Sequence, residues 1–168
     1  MAEKGKYIYE WPRPMVAVDT AVFSFFSGKA KLLLVNRRNE PFKGKWCLPG
    51  GFLDIDEEME DGAARELAEE TGLTGIGLEQ VHSFGKCGRD PRGRVITVTY
   101  MGIVPEGKSK VKAGDDAAKA RWFDIDKLPT ELAFDHNDVT KYVISRLKRR
   151  KVYRFNMKGS RKGTVKKR

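Results

Sequence analysis

The sequence predicts one α/β domain. Three observations point to it: Val-, Leu- and Phe-rich runs of strand length open the chain and return later, a segment between them repeats small and apolar residues at helical steps, and a second helical segment follows the last strand. A length of 168 residues suits a single compact core. The 40% apolar content, broken into short runs by Gly and Pro, argues against a disordered chain.

Val16 to Phe26 and Lys31 to Asn36 read as strands joined by Ser27-Gly28-Lys29, which has hairpin composition. The chain then turns polar, with Pro41 and Gly44, before Trp46-Cys47-Leu48 runs into Pro49-Gly50-Gly51. That triplet reads as a loop, since Pro and paired Gly suit neither a strand nor a helix start. Glu57 to Glu70 has the 3.6-residue period of an amphipathic helix, with Met59, Ala63, Ala64, Leu67 and Ala68 as its inner stripe. Acids at its start suit the helix dipole and Thr71-Gly72 supplies the stop. Strands are expected at Leu78 to Phe84, Val95 to Val104 and Lys119 to Phe123, then a helix from about Asn137 to Lys148. Asn137 or Asp138 is expected to cap that helix by accepting backbone N–H bonds. No internal repeat is found.

The net charge of +10 is unevenly placed. Residues 148–168 hold eleven Lys and Arg and no acid, so residues 1–147 carry one net negative charge. The basicity belongs to a tail and does not mark the body as a nucleic-acid binder. Such a run, with Tyr153 and Phe155 in it, offers a weak nucleic-acid contact; the plainer reading is a flexible, solvated end. No run approaches the roughly 20 apolar residues of a membrane helix, and the N-terminus lacks the apolar core of a secretory signal. The reading is a cytoplasmic protein without a membrane partner, its two cysteines, Cys47 and Cys87, free. His82 and His136 are too far apart to suggest a metal pair and receive no role.

Glu66, Glu69 and Glu70 stand at i, i+3 and i+4, so a helix projects all three carboxylates from one face. Like charges at that spacing repel, and a hard divalent cation with oxygen ligands relieves them. Mg²⁺ is the first candidate, with Mn²⁺ as the alternative. Beside a Gly-rich loop, a partial carboxylate cage suggests phosphate chemistry: cations offset the charge of a diphosphate and acidify an attacking water. Alone, three glutamates are as readily a solvated acidic face.

They are not alone. From Gly51 the chain reads five residues, Glu57, seven residues, then Arg65-Glu66-Leu67-Ala68-Glu69-Glu70-Thr71-Gly72-Leu73. This resembles, without a departure, the Nudix hydrolase signature G-x5-E-x7-R-E-U-x-E-E-x-G-U, where U is aliphatic. Seven fixed positions at roughly 7% usage each coincide by chance at one start with a probability on the order of 10⁻⁸. The likeness extends to Leu48-Pro49-Gly50 and to Ala120-Arg121-Trp122-Phe123. It implies a Nudix fold over residues 14–147, a mixed β-sheet sandwiched between α-helices, with 1–13 as an N-terminal extension and 148–168 as the tail. It further implies that Glu69 and Glu70 are the principal metal ligands, with the Gly51 carbonyl and Glu66 in the same shell, Glu66 serving either as ligand or in activating water. Arg65 would orient the carboxylates and Glu57 would hold Arg65 by a salt bridge. A base outside the signature is often used in the family; Asp115 and Asp116 are the nearest suitable acids, and Asp116 is the candidate.

The loop Gly88-Arg89-Asp90-Pro91-Arg92-Gly93-Arg94 offers guanidinium forks for phosphate or ribose oxygens, or is a plain solvated turn. Arg89, Arg92, Arg38 and Gly50 are the substrate-binding candidates. The Arg-Asp-Pro-Arg-Gly stretch resembles the ADP-ribose pyrophosphatase branch, as does Arg13-Pro14 leading into a strand with Asp19; a proline common in that branch is replaced by Cys87. The resemblance implies hydrolysis of ADP-ribose to AMP and ribose 5-phosphate, with adenine stacked on an unidentified aromatic side chain. Alternatives are cleavage of NADH, dinucleoside polyphosphates or oxidised nucleoside triphosphates, and a role as an ADP-ribose-sensing regulator. Regulators of that kind carry a winged-helix domain after the Nudix part, for which the tail is too short. Homodimers are frequent among similar proteins, and apolar residues near Tyr7 to Trp11 offer an interface.

Overall fold

The computed structural model describes residues 9–105, 108–111 and 117–153, with backbone alone at 117 and 118. The chain order is β1 (Met15–Phe26), β2 (Lys29–Arg37), β3 (Trp46–Cys47), β4 (Gly50–Phe52), α1 (Met59–Thr71), β5 (Leu78–Phe84), β6 (Val95–Val104), β7 (Ala117–Asp124) and α2 (His136–Arg149). The strands form one mixed sheet with the central order β3-β2-β1-β6-β5, in which β7 pairs β2 and β4 pairs β1. The β1–β6 pair is parallel and runs from Met15↔Val95 to Ser24↔Val104. The other pairings are antiparallel.

Alternation along the strands divides the core between the two helices. Ala21 and Phe23 of β1, Leu32 and Leu34 of β2 and Met101 of β6 pack with Val139, Val143 and Leu147 of α2. Their neighbours Val22, Leu33 and Val104 meet Leu67 of α1, and Val18, Val98 and Tyr100 meet Ala63. The sheet is therefore covered on both faces, which explains why β1 and β2 read as near-continuous apolar runs. Ser27 and Gly28 both take positive φ (49° and 76°), as a two-residue hairpin that follows the sheet's twist requires. β2 accordingly begins at Lys29, inside the expected turn.

Three expectations change. Gly50-Gly51 is part of a strand, pairing Gly50 with Asp19 and Gly51 with Val18. A Cβ on Gly50 would strike the Val18 carbonyl and lie 2.8 Å from Asp19 Oδ1, so the absence of side chains is what lets this strand approach. The inner stripe of α1 is Gly62, Ala63, Leu67 and Thr71, while Met59 and Ala64 are exposed. Gly62 belongs there because a Cβ would meet Leu53 and the Glu57 carboxylate. Asn137 does accept a backbone N–H, but from Leu132 (2.9 Å), and it donates to the Thr130 carbonyl, so it fastens the preceding loop and leaves the helix end uncapped by a side chain.

β1 forks on its second edge: residues 17–19 pair with β4 and residues 23–26 with β2. Thr20 stands at the fork, where its N–H (2.8 Å) and its hydroxyl (3.2 Å) both donate to the Pro49 carbonyl. Among the described residues no helix is long and apolar enough to cross a membrane. Both cysteines are free, Cys47 buried and Cys87 exposed, and burial pushes the Cys47 thiol far up. A thiol reagent should thus label the native protein at Cys87 alone and reach Cys47 only on unfolding. Mass-spectrometric detection of label on native Cys47 would contradict this burial.

Candidate active site

Arg65 of α1 is the hub of the signature. Its Nε and Nη2 form a fork on Glu57 (2.7 and 2.9 Å), Nη1 donates to Glu66 Oε1 (2.9 Å) and Glu69 Oε2 (3.2 Å), and Nη2 also reaches the Phe52 carbonyl at 3.3 Å. Glu57 is fastened in turn by the Asp54 N–H at 3.2 Å, and this holds it in the loop ahead of α1. Hydrogen bonding to Arg65, working against burial, keeps its carboxyl below the usual range.

Glu70 points the other way, into the fork of β1. Its Oε2 accepts the Gly50 N–H at 3.0 Å. Burial raises its carboxyl to about 8; the Gly50 bond opposes that shift, and the charges of Glu66 and Asp19 add to it. Burial raises Glu66 as well, against the pull of Arg65. The Glu66 carboxylate occupies the space a Cβ on Gly51 would need. Two adjacent glycines thus let backbone lie directly against two carboxylates.

The box faces a cleft of about 470 Å³ lined by Gly50, Gly51, Arg65, Glu66, Glu69 and Glu70, with Arg38 and Arg92 also on its wall. Of the expected site residues, Asp116 lies outside the described residues, and Arg89 does not present an open fork. Its Nε and Nη2 hold Asp135 (2.9 and 2.6 Å) and its Nη1 donates to Thr97 Oγ1. The Arg89 side chain is 4% exposed. Arg92 is more open; it pairs with Asp90 (2.7 Å) and lies over the rings of Phe52 (4.5 Å) and Phe134 (5.2 Å).

Sequence reasoning missed four participants. Arg37 lies over the Phe134 ring at 4.8 Å and Arg92 at 5.2 Å, so one ring carries two guanidinium groups. Buried Asp19 and His136 stand together behind Gly50. His136 Nδ1 accepts the Leu48 N–H at 3.0 Å, which leaves the proton on Nε2, 3.4 Å from Asp19 Oδ2. The remaining signal in the sequence was His136 following Asp135 at a helix start, and it pointed only to a cap.

Among the described residues no three His, Cys, Asp or Glu side chains close into a metal cage. The donor set nonetheless suits a hard cation that keeps waters and substrate oxygens as ligands. Glu70 in particular is largely buried beside two like charges, which the Gly50 N–H and the charge of Arg37 only partly balance and which a cation would offset.

A profile of the NUDIX domain matches residues 15–143. The chain is 42% identical over 128 residues to an ADP-ribose pyrophosphatase of Methanocaldococcus jannaschii, covering 76% of this chain and 72% of that protein. It is 37% identical over 147 residues to an ADPR responsive transcriptional repressor, NtrR, of Acinetobacter baylyi, covering 86% of this chain and 58% of the repressor. Among solved structures, the NUDIX domain of Shewanella oneidensis NrtR complexed with ADP ribose superposes with a TM-score of 0.76 at 33% identity, over 84% of this chain and 94% of that one. A MutT/nudix family protein from Enterococcus faecalis gives 0.75 at 33% identity, over 84% of this chain and 65% of its own. The chain thus spans less than two thirds of the repressor and of the E. faecalis protein. With the signature intact, the sheet covered by helices on both faces and the profile matching most of its length, this chain belongs to the Nudix family.

Proposed function

We propose that this protein hydrolyses the diphosphate bond of ADP-ribose, giving AMP and ribose 5-phosphate. Proteins of this family generally use a divalent metal ion, and Mg²⁺, with Mn²⁺ as the alternative, is the ion proposed here. The observation that carries the reading is the Arg65 hub: it holds Glu57, Glu66 and Glu69 in fixed places while Glu70 is held separately by the Gly50 N–H. In this reading Glu69, Glu70, Glu66 and the Gly51 carbonyl hold the cation, Glu57 and Arg65 position them, and Asp116 is the candidate base. Bound there, the ion offsets diphosphate charge and lowers the pKa of the attacking water. Arg92 and Arg38, on the cleft wall with Gly50, bind the substrate's phosphate oxygens, while Arg89 acts indirectly by holding Asp135 at the start of α2. The similarity to a named ADP-ribose pyrophosphatase and to a domain complexed with ADP ribose supports this choice of substrate.

The test is turnover of ADP-ribose with Mg²⁺ beside NADH, diadenosine polyphosphates and oxidised dGTP, with products identified by mass spectrometry. AMP and ribose 5-phosphate released fastest from ADP-ribose is the expected result; faster cleavage of another compound would reassign the substrate. The similarity to the A. baylyi repressor favours a second reading, ADP-ribose sensing, which predicts tight binding without turnover.

The proposed division places the Nudix domain at 14–147, the extension at 1–13 and the tail at 148–168, in a cytoplasmic protein with a homodimer interface near Tyr7 to Trp11 and a weak nucleic-acid contact in the tail. Arg150 pairs with Glu79 (2.8 Å) and Tyr153 packs on Phe25, so a tail deletion should begin after Tyr153. Removing 154–168 should leave ADP-ribose turnover within about twofold, since none of the proposed site residues belongs to that segment. A collapse in kcat would give the tail a part in catalysis.

A further inference from the structure

Leu48, Pro49 and Gly50 lead into β4, and each gives one backbone group to a different element. The Gly50 N–H donates to Glu70 of α1 at 3.0 Å. The Pro49 carbonyl accepts the N–H and the hydroxyl of Thr20 in β1 (2.8 and 3.2 Å). The Leu48 N–H donates at 3.0 Å to Nδ1 of His136, at the start of α2. Leu48 is 1% exposed and His136 4%, so without the imidazole that N–H would be buried with no acceptor, at the full cost of its desolvation.

An imidazole accepts a hydrogen bond only through a bare nitrogen, so the tautomer matters. On the far side of the ring the buried carboxylate oxygen Asp19 Oδ2 lies 3.4 Å from Nε2 and accepts no hydrogen bond. A carboxylate there draws the proton to Nε2 and leaves Nδ1 bare. The ring is also fixed from its own chain. Arg89 forks onto the adjacent Asp135 (2.9 and 2.6 Å), and the Ala133 N–H donates to the Trp46 carbonyl at 2.8 Å. The lead into α2 thus grips residues 46 and 48. Two and three residues beyond Leu48, Gly50 and Gly51 lie directly against the Glu70 and Glu66 carboxylates.

We propose that His136 is a positioning residue for the cation shell: by accepting the Leu48 N–H it sets the backbone of Gly50 and Gly51 against α1, and so aligns the Gly51 carbonyl with the Glu70 carboxylate. Asp19 serves the same end by keeping the imidazole in its accepting tautomer. The inference rests on the proposed function, in which Gly51 and Glu70 hold the ion. It gives α2, which carries no residue of the signature, a part in metal binding.

The test compares His136→Leu with His136→Asn, two side chains of nearly the same shape. Asn can present its Oδ1 where Nδ1 stands and accept the Leu48 N–H; Leu cannot. Mn²⁺ affinity is read by calorimetric titration, with kcat and KM for ADP-ribose beside it. Leu should weaken Mn²⁺ binding by about 10- to 100-fold, the range for groups that orient a metal's ligands, and lower kcat more than it changes KM. Asn should recover most of both losses. A folded Leu variant with wild-type affinity, or Asn and Leu variants equally weak, would overturn the role of this bond. If the Leu variant does not fold, the wild type decides: NMR of the ring nitrogens should show the proton on Nε2, and a proton on Nδ1 would overturn the proposal. Turnover judges the proposed function separately. A protein that binds Mn²⁺, ranks the variants as expected and splits no nucleotide keeps the positioning role and loses the enzyme, whereas a wild type that binds no Mn²⁺ removes the shell that both require.

Discussion

Glu70→Gln should lower kcat by on the order of 10³-fold while leaving a cooperative fold, because it removes the charge of one proposed metal ligand and retains its shape. The Gly50 N–H, now 3.0 Å from Glu70 Oε2, can donate equally to an amide oxygen, so the strand should stay in place. The variant should also change the pH dependence of stability. The Glu70 carboxyl sits at about 8 in the folded protein and near its ordinary 4.5 once unfolded, chiefly through burial. Between those values the folded state binds a proton the unfolded state has released, so the metal-free protein should lose stability as pH rises from about 4.5 to about 8. Glutamine has no such proton, and thermal melts of the variant should be flatter over that window, with the smaller slope from Glu66 remaining. A divalent cation needs the carboxylate, so its affinity should rise with pH through about 8. Full activity in Glu70→Gln would refute the ligand assignment; parallel pH slopes in wild type and variant would refute the burial argument.

Arg65→Met has the other large effect, and it acts by a different route. The guanidinium bonds Glu57, Glu66, Glu69 and the Phe52 carbonyl, and Met keeps the stem but none of the donors. Glu57 and Glu66, each 15% exposed, would lose their counter-charge. Because the Arg65 side chain is itself 28% exposed, solvent softens the loss, and a cost of about 2–3 kcal/mol is expected. That corresponds to a fall in Tm of about 5–10 °C for a domain of this size. Turnover should drop about 100-fold or more, since carboxylates held in place become mobile. Arg65→Lys should recover part of the stability and little of the activity, because an ammonium cannot span three carboxylates as a planar fork does. A Met variant as stable and active as the wild type would remove Arg65 from the hub.

What could be read before the structure was whatever is local in the chain. The acidic part of the signature lies on one helix and the turn before it, so spacing alone placed Glu66, Glu69 and Glu70 on one face, and Gly72, left-handed with φ 72°, ended that helix where expected. β4 escaped because glycines carry no β propensity; their role appears only when Val18 and Asp19 lie against them. Arg89 was misjudged for a similar reason. Three arginines in a polar loop looked available, yet Arg89 binds Asp135, 46 residues away, at a helix start that gave no hint of a partner. Asp19 and His136 are farther apart still, and only the pairing of β1 with β4 and the packing of α2 bring them behind Gly50.

The parallel pairing of β1 with β6 joins Met15 to Val95, and the His136 bond to Leu48 spans 88 residues. Contacts that distant form slowly, since a long loop must close before any of them is rewarded. The signature, complete by Leu73, leaves the ribosome well before β6, which pairs with β1, and α2, which covers one face of the sheet. During synthesis the chain is therefore expected to carry its motif as an unassembled acidic segment until β6 and α2 have emerged and docked on the sheet.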